Sequence, residues 1–446
     1  MNQNKKPRIL LISPTGLDRK GNPIVQRKTY LPGLTMPQLA AVTPDDFEVK
    51  IVSETSEPIP FDEHWDLVGL TGMGGSGVVR AWQLCDIFKK KGSKTVMGGI
   101  AASLCKEEWT LEHADCLVTG EAEDTWKVVL NDFMKGGMKE VYRMTSPPDV
   151  TSFPIPAYGK LNAKHYGFWR PVQATRGCPF PCTFCSISEF FKRSYRKRPV
   201  SQVVRDVRAA KASGTRFITF IDDNIGVDFK YCKELWEALI EENIIWASQC
   251  SLQISENDEM LALAAKSGCR ILSFGIETIN PKSLEHIDKG WNRPERYEKA
   301  FADIRRHGIE ISTEMILGLD GDTPSVFEET FNFLMKNQIA LPRQYILTPV
   351  PGTPMYHELE AEGRIFDYNF VKYNGGDAVF HPKNMSAETL QKNYWKLYQN
   401  LYSVKNIYRR IGSNPSRLSP FMRVFVMATN MVYRNHIGRD ITPGIV

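Results

Sequence analysis

The chain has 446 residues, 42% of them hydrophobic and 24% charged, the balance of a folded globular protein rather than a disordered or fibrous one. That length accommodates two or three domains, each with its own core. A net charge of +5 is small for the length and argues neither for nucleic acid nor for a membrane, and no run reaches the length of a transmembrane helix.

The first residues, MNQNKKPRILLISP, place basic residues before an apolar run of only Ile9 to Ile12. That run reads as a strand, too short for the core of a signal peptide, so a cytoplasmic, reducing location is expected. Short runs rich in Val, Ile and Leu recur at 8–13, 47–53, 66–72, 94–100 and 115–121, as in a buried parallel sheet. Between them Val78, Trp82, Cys85 and Phe88 recur at helical spacing, and Lys89, Lys90, Lys91 and Gly92 end that helix. The pattern is doubly wound α/β. Glycines cluster after the strands, at Gly72, Gly74, Gly75 and Gly77, then Gly98 and Gly99, then Gly120. In such a sheet these positions line the edge where ligands bind, although each cluster alone also suits a tight turn.

The stretch 146–156, SPPDVTSFPIP, reads as an extended linker. Strands are expected again at 172–177, 216–222, 244–250, 270–277, 309–318 and 344–350, with helices between them. Ser201 is the expected cap of one, carrying Val203, Val204 and Val207 on its face. Six strand–helix units suggest a parallel sheet curled into a partial barrel, with chemistry at the strand C-terminal ends. Beyond Gly363 the pattern turns helical. Leu390, Tyr394, Leu397, Tyr398 and Leu401 follow Ser386, a cap. The stretch 421–433 places Phe421, Val424, Phe425, Ala428, Met431 and Val432 on one helical face, with Arg409, Arg410, Arg417, Arg434 and Arg439 around it. Packing on the core is the default for that stripe; a hydrophobic substrate or a peripheral membrane contact is second. The expected organisation is an α/β domain at 1–145, a linker at 146–164, a barrel-like core at 165–360 and a helical region at 361–446.

The chemistry rests on three cysteines. Cys178, Cys182 and Cys185 are spaced C-x-x-x-C-x-x-C. Three thiolates this close can hold three irons of a four-iron, four-sulfur cluster and leave the fourth iron open. Structural zinc would want a fourth ligand, and His165, the nearest upstream histidine, sits too far off in sequence. The other six cysteines lie singly inside expected helices and strands and read as small core residues.

The spacing, with Phe184 before the last cysteine, resembles the signature of radical S-adenosylmethionine (SAM) enzymes. In that family the open iron chelates SAM, and one electron cleaves it to methionine and a 5'-deoxyadenosyl radical. The first domain is similar to the cobalamin-binding domain that precedes the radical SAM domain in one large subfamily, through Leu31-Pro-Gly-Leu-Thr-Met-Pro-Gln-Leu-Ala, Trp65-Asp-Leu-Val-Gly-Leu, Val96-Met-Gly-Gly and Thr119-Gly-Glu-Ala-Glu. It lacks the D-x-H-x-x-G motif whose histidine ligates cobalt in many cobalamin proteins. The chain as a whole, roughly residues 7–405, resembles the cobalamin-dependent (class B) radical SAM methyltransferases.

The resemblance implies three cofactors: a 4Fe-4S cluster on Cys178, Cys182 and Cys185, SAM, and cobalamin. It places Gly74, Gly75, Gly98 and Gly99 beside cobalamin. Asp222 and Asp223 would receive the methionyl ammonium of SAM, Glu277 its ribose hydroxyls, and Gly318 would lie on the adenine side. It also implies an external electron donor such as flavodoxin or ferredoxin, and transfer of a methyl group from methylcobalamin to an unactivated carbon of a large hydrophobic small molecule. A bacteriochlorophyll-type tetrapyrrole side chain is the expected substrate, by analogy of size and element order. The alternatives are a hopanoid or other isoprenoid lipid methylase, a radical SAM cyclase or oxidoreductase that transfers no methyl, and a non-catalytic cobalamin or iron–sulfur sensor. The basic run Lys192, Arg193, Arg196, Lys197 and Arg198 reads as a solvated helix end or a positive wall near SAM rather than a nucleic-acid patch.

Overall fold

A computed structural model describes residues 6–72, 74–412 and 419–444; Met73 and Arg417 lie outside the described residues. The chain forms two compact units. One comprises Met1–Gln173 with Ser201–Arg216, the other Ala174–Val200 with Phe217–Ile445. Residues up to 173 and a later helical stretch thus belong with the first unit, and the helical region after 360 is continuous with the second.

The first unit holds β1 (Arg8–Ser13), β2 (Glu48–Ser53), β3 (Leu67–Thr71), β4 (Lys94–Gly98), β5 (Cys116–Thr119) and β6 (Val141–Arg143) in the order β2-β1-β3-β4-β5-β6. Every pairing is parallel. The expected apolar runs form β1 to β5 because both faces of this sheet are covered, so the strands read as continuous Val, Ile and Leu. Ile9, Leu11, Leu67, Val96 and Val118 pack on one side with Met36 and Ala40 of helix Thr35–Val42 and Trp126, Val129 and Leu130 of helix Glu123–Met134. Helix Ser76–Lys90 buries Val78, Ala81, Leu84, Cys85 and Phe88, each full burial of a large apolar side chain stabilising by roughly 1.5–3 kcal/mol. β6 is a three-residue strand with too little apolar pattern to be expected. The sheet reverses direction of winding between β1 and β3, the switch point where doubly wound sheets open a crevice for ligands.

The strand expected at 172–177 is broken. β7 (Trp169–Val172) lies in the first unit, and β8 (Thr175–Arg176) forms a short antiparallel ribbon with β9 (Arg196–Lys197) in the second. Ser201, expected as a cap, lies inside the first turn of helix Val200–Ala212, which begins one residue earlier. The second unit continues with β10 (Phe217–Phe220), β11 (Ile245–Gln249), β12 (Cys269–Glu277), β13 (Glu310–Leu317) and β14 (Leu341–Ile346), parallel throughout. Helices alternate with them: Phe229–Ile240, Asp258–Lys266, Tyr297–Arg306 and Val326–Lys336. Asp228 and Asn257 cap two of these by accepting the N–H of Tyr231 and Met260.

The C-terminal helices cover the edge strand β14. Ser386 caps helix Ala387–Leu401 as expected, and Leu390, Tyr394, Leu397, Tyr398 and Leu401 are all buried. The Tyr398 and Tyr402 hydroxyls donate to Gln344 O (2.8 Å) and Pro342 O (2.7 Å). The fully buried Arg410 donates to Ile339 O (2.7 Å), Leu401 O (3.0 Å) and Asn430 Oδ1 (3.1 Å). The two tyrosine bonds satisfy carbonyls of β14 that an open sheet edge would leave to solvent. Burial lowers the Arg410 pKa to about 10. Helix Pro420–Ile437 buries Met422, Val426, Asn430 and Ile437. Its other face carries the predicted stripe outward: Phe421 is 56% exposed, Val424 69% and Met431 45%. The core-packing default for the stripe is therefore corrected, because the helix packs through the opposite face, where Asn430 bonds Arg410 and Ala340 O. Among the described residues no helix is long and apolar enough to cross a membrane.

Candidate functional site

Cys178, Cys182 and Cys185 lie on the loop between β8 and the short helix Ser186–Phe190, all three free of disulfides. The loop is tied down from several sides. Asp223 Oδ2 accepts Gly177 N (2.9 Å), Ile287 O accepts Thr183 N (3.3 Å), and Thr183 O accepts Met355 N (3.1 Å). Phe180 stacks on Trp291 with ring centroids 4.6 Å apart. Burial pushes Cys182 up to about 12, opposed by the Lys289 ammonium and reinforced by Cys185 and Cys178. Burial likewise raises Cys178 and Cys185. One buried and two half-buried thiols that repel one another as thiolates fit a cationic iron core, which stabilises the deprotonated form.

Asp222 has a different position from the one its sequence context suggests. It is 1% exposed, and its carboxylate accepts Ala174 N (3.1 Å), Thr175 N and Thr175 Oγ1 (2.6 Å). Burial pushes the carboxyl up to about 6, opposed by those donors. These bonds lock the ribbon that carries the cysteine loop. Asp223 is the carboxylate of the pair that faces the cysteine loop, and Asn224 accepts Ser251 N at 2.9 Å.

Glu277 ends β12 with φ at +62°, a left-handed conformation that is uncommon for a glutamate and clusters at functional sites. The strand register shifts between Gly275 and Glu277, which turns this carboxylate toward Lys289, whose Nζ donates to Glu277 Oε1 at 2.5 Å. Burial works against the Lys289 charge, but Glu277 and then Cys182 hold it protonated. Lys289 was not legible as a site residue: no periodic or motif signal marks a lysine twelve positions after a strand-end acid. Gly318 N and Leu319 N both donate to Asp322 Oδ2 (2.9 and 3.0 Å). A side chain at Gly318 would strike Leu390, so this turn is shaped by the helix above it. The basic run is partly paired on the spot, Lys197 with Asp228 and Lys192 with Glu189.

In the first unit the glycines separate into two kinds. A Cβ placed on Gly74 or Gly77 meets nothing within 4 Å, and Gly75 caps helix Ser76–Lys90. This open stretch follows β3 at the switch point, a cradle that side chains would fill and that fits a bulky ligand such as cobalamin. Gly98 and Gly99 instead serve the framework: a Cβ on Gly98 would lie 3.3 Å from Val118 O, and one on Gly99, at φ +101°, 2.7 Å from Thr71 Oγ1.

Three free cysteines on one loop at the head of a parallel strand–helix sheet fit a radical SAM enzyme. A model of the Radical SAM superfamily matches residues 172–334, and a domain of unknown function (DUF4070) matches 353–431. The bacteriochlorophyllide d C-12(1)-methyltransferase of Chlorobaculum tepidum is 31% identical over 92% of this chain and 89% of its own length. The C-8(2)-methyltransferase of the same organism is 29% identical over 90% and 91%. Among solved structures, the radical SAM methyltransferase TsrM from Kitasatospora setae, bound to cobalamin and a [4Fe-4S] cluster, shares the fold over 98% of both chains at a TM-score of 0.69 and 16% identity. The cobalamin-dependent enzyme OxsB does so over 97% of this chain and 71% of its own, at 0.68 and 15%. The chain belongs to the radical SAM methyltransferase family that includes the bacteriochlorophyllide d methyltransferases, and it shares the fold of cobalamin-dependent members of the superfamily.

Proposed function

We propose that this protein transfers a methyl group from SAM to an unactivated carbon on the side chain of a bacteriochlorophyll-type tetrapyrrole. The observation that carries this reading is the 31% identity to a bacteriochlorophyllide d methyltransferase, which extends over 92% of this chain and 89% of that one. An alignment of 420 residues is too long to be confined to the radical SAM segment at 172–334, so it bears on substrate as well as on the shared SAM chemistry.

Cys178, Cys182 and Cys185 would hold three irons of the cluster, and Asp223 and Glu277 would receive the polar groups of SAM. Lys289 would hold positive charge between Glu277 and the cysteine loop. Gly74 and Gly75, with Gly77 beside them, would leave room for cobalamin, while Gly98 and Gly99 shape the turns that frame it. When bound, the cluster supplies the electron that cleaves SAM, and cobalamin carries the methyl group. Asp222 orients the cysteine loop through Thr175, and the packing of Phe180 on Trp291 shields one side of that loop from water. An external one-electron donor of the flavodoxin or ferredoxin kind is part of the reading. So is a peripheral contact of the outward stripe on helix Pro420–Ile437 with a hydrophobic surface, flanked by Arg423, Arg434 and Arg439.

The test is anaerobic turnover of the reconstituted protein with methyl-deuterated SAM and bacteriochlorophyllide d, analysed by mass spectrometry. A pigment product heavier by one labelled methyl group is expected, and none from Cys182→Ala. Release of 5'-deoxyadenosine with an oxidised but unlabelled pigment would put a cyclase or oxidoreductase in its place. Labelled hopanoid without labelled pigment would move the substrate to lipid, and no SAM cleavage at all would leave a sensor.

A further inference from the structure

Side chains alternate across a strand, so each β-strand of the second unit has two faces. On β13, Ile311, Thr313, Met315 and Leu317 are almost wholly buried. Glu314 points the opposite way and stays 26% exposed. The register aligns Gly275 of β12, Glu314 of β13 and Arg343 of β14, and aligned neighbours share a face. A Cβ on Gly275 would run into the Glu277 carboxylate and lie 2.8 Å from Lys289 Nζ. The face that carries Glu314 and Arg343 is therefore the face of Glu277 and Lys289, the one that opens toward the cysteine loop.

An ion pair sits on this face and no step described above uses it. Arg343 Nη2 donates to Glu314 Oε1 (2.5 Å) and to Ser273 Oγ (2.7 Å). Ser273 Oγ in turn donates to Glu314 Oε1 at 3.2 Å, and Gln249 Nε2 approaches the same oxygen at 3.4 Å. Arg343 Nε is buried without a hydrogen-bond partner, and the side chain is 14% exposed. A pair drawn this far from solvent is seldom worth more to stability than apolar residues of the same volume, so folding alone does not account for it. The guanidinium fork suits planar, two-point recognition of a carboxylate. Its bonds to Glu314 and Ser273 use one terminal nitrogen and fix the plane of the fork, and Gly444 and the Tyr345 hydroxyl lie beside the other terminal nitrogen, so a carboxylate would meet the fork at this edge of the sheet.

The rest of the face has the opposite character. Gln249 is aligned with Ser273, and Phe217 and Ile245 are aligned with each other, as are Thr219 and Ala247. Phe217, Ile245 and Ala247 are only half-buried, Phe217 with its ring tilted against Phe421 of helix Pro420–Ile437 (centroids 5.8 Å apart), whereas the alternate residues Ile218, Phe220 and Trp246 are 0–2% exposed. The inner surface thus passes from apolar at β10 and β11 to charged at β13 and β14. That gradient matches a large hydrophobic molecule bearing one acid group.

We propose that Arg343, held by Glu314 and Ser273, is the specificity-determining residue that receives an ionised carboxylate of the substrate, with Phe217, Ile245 and Ala247 against its hydrophobic body. The inference rests on the tetrapyrrole reading and adds to it the recognised group. The experiment compares bacteriochlorophyllide d, which carries a free carboxylic acid, with its methyl ester. Binding to the holoenzyme is followed by the pigment's absorbance shift, and methyl transfer by kcat/KM. Wild type should prefer the acid by about ten- to a hundredfold, the size of one charge-assisted hydrogen bond. Arg343→Gln should bind acid and ester alike, and Arg343→Lys should keep part of the preference. The double variant Arg343→Gln/Glu314→Gln leaves no charge unpaired on the face, so it carries the test if the single variant misfolds, and it too should lose the preference. Equal use of acid and ester by wild type, or an undiminished preference in the glutamine variants, would overturn the inference while leaving the methyltransferase reading in place. Methyl transfer to neither pigment would instead overturn the substrate reading on which it rests.

Discussion

Asp222 offers the sharpest division between a residue that touches SAM and one that builds the frame. Its carboxylate is 1% exposed and receives two backbone N–H groups and one hydroxyl from Ala174 and Thr175. Asp222→Asn keeps the shape but replaces one acceptor oxygen with an NH2 that must face a donor. At least one hydrogen bond to a charged group is lost and one buried N–H is left unpaired, a cost of about 2–4 kcal/mol. Thr175→Val removes only the Oγ1 bond and should cost about 1.5–3 kcal/mol. Both substitutions loosen the ribbon from which the cysteine loop springs, so iron retained after anaerobic reconstitution should fall in step with the melting temperature. The assay is thermal unfolding alongside iron per chain for wild type and both variants. An Asp222→Asn protein with full iron content and unchanged melting, but weakened SAM binding, would refute the framework role and return the residue to SAM.

Gly77→Leu should weaken retention of cobalamin severalfold after refolding with hydroxocobalamin, because the added side chain enters open space at the switch point. Gly98→Leu should instead lower stability by about 1–3 kcal/mol by pressing on Val118, and the two are told apart by cobalamin absorbance against thermal melts. Deleting residues 415–446 should destabilise the second unit by about 5 kcal/mol or more, since Met422, Val426 and Ile437 leave the core at roughly 1.5–3 kcal/mol each and Arg410 loses Asn430. An unchanged melting temperature and iron content in the truncated protein would contradict that.

Whatever depends on residues near one another in the chain was legible in the sequence. The spacing of Cys178, Cys182 and Cys185 specifies three ligands on one loop. The Val, Ile and Leu runs give the buried strands, because period and composition are properties of short segments. Ser386 and the Leu390–Leu401 stripe specify a capped helix by the same local logic. The stripe from Phe421 to Val432 is legible as one helical face. Which way that face turns was decided only when Asn430, on the opposite side, found Arg410 and Ala340. Asp222 and Asp223 are adjacent in sequence, yet one is sealed beneath Thr175 and the other meets Gly177 at the cysteine loop. Gly98 and Gly99 look like Gly74 and Gly77 in the sequence, and only strand packing leaves space beside the latter two and none beside the former. Lys289 gained its place from Glu277 and the cysteine loop, and Arg343 and Glu314 from parallel register across β13 and β14. Such pairings are set by which strands lie side by side, and no window of sequence contains that information.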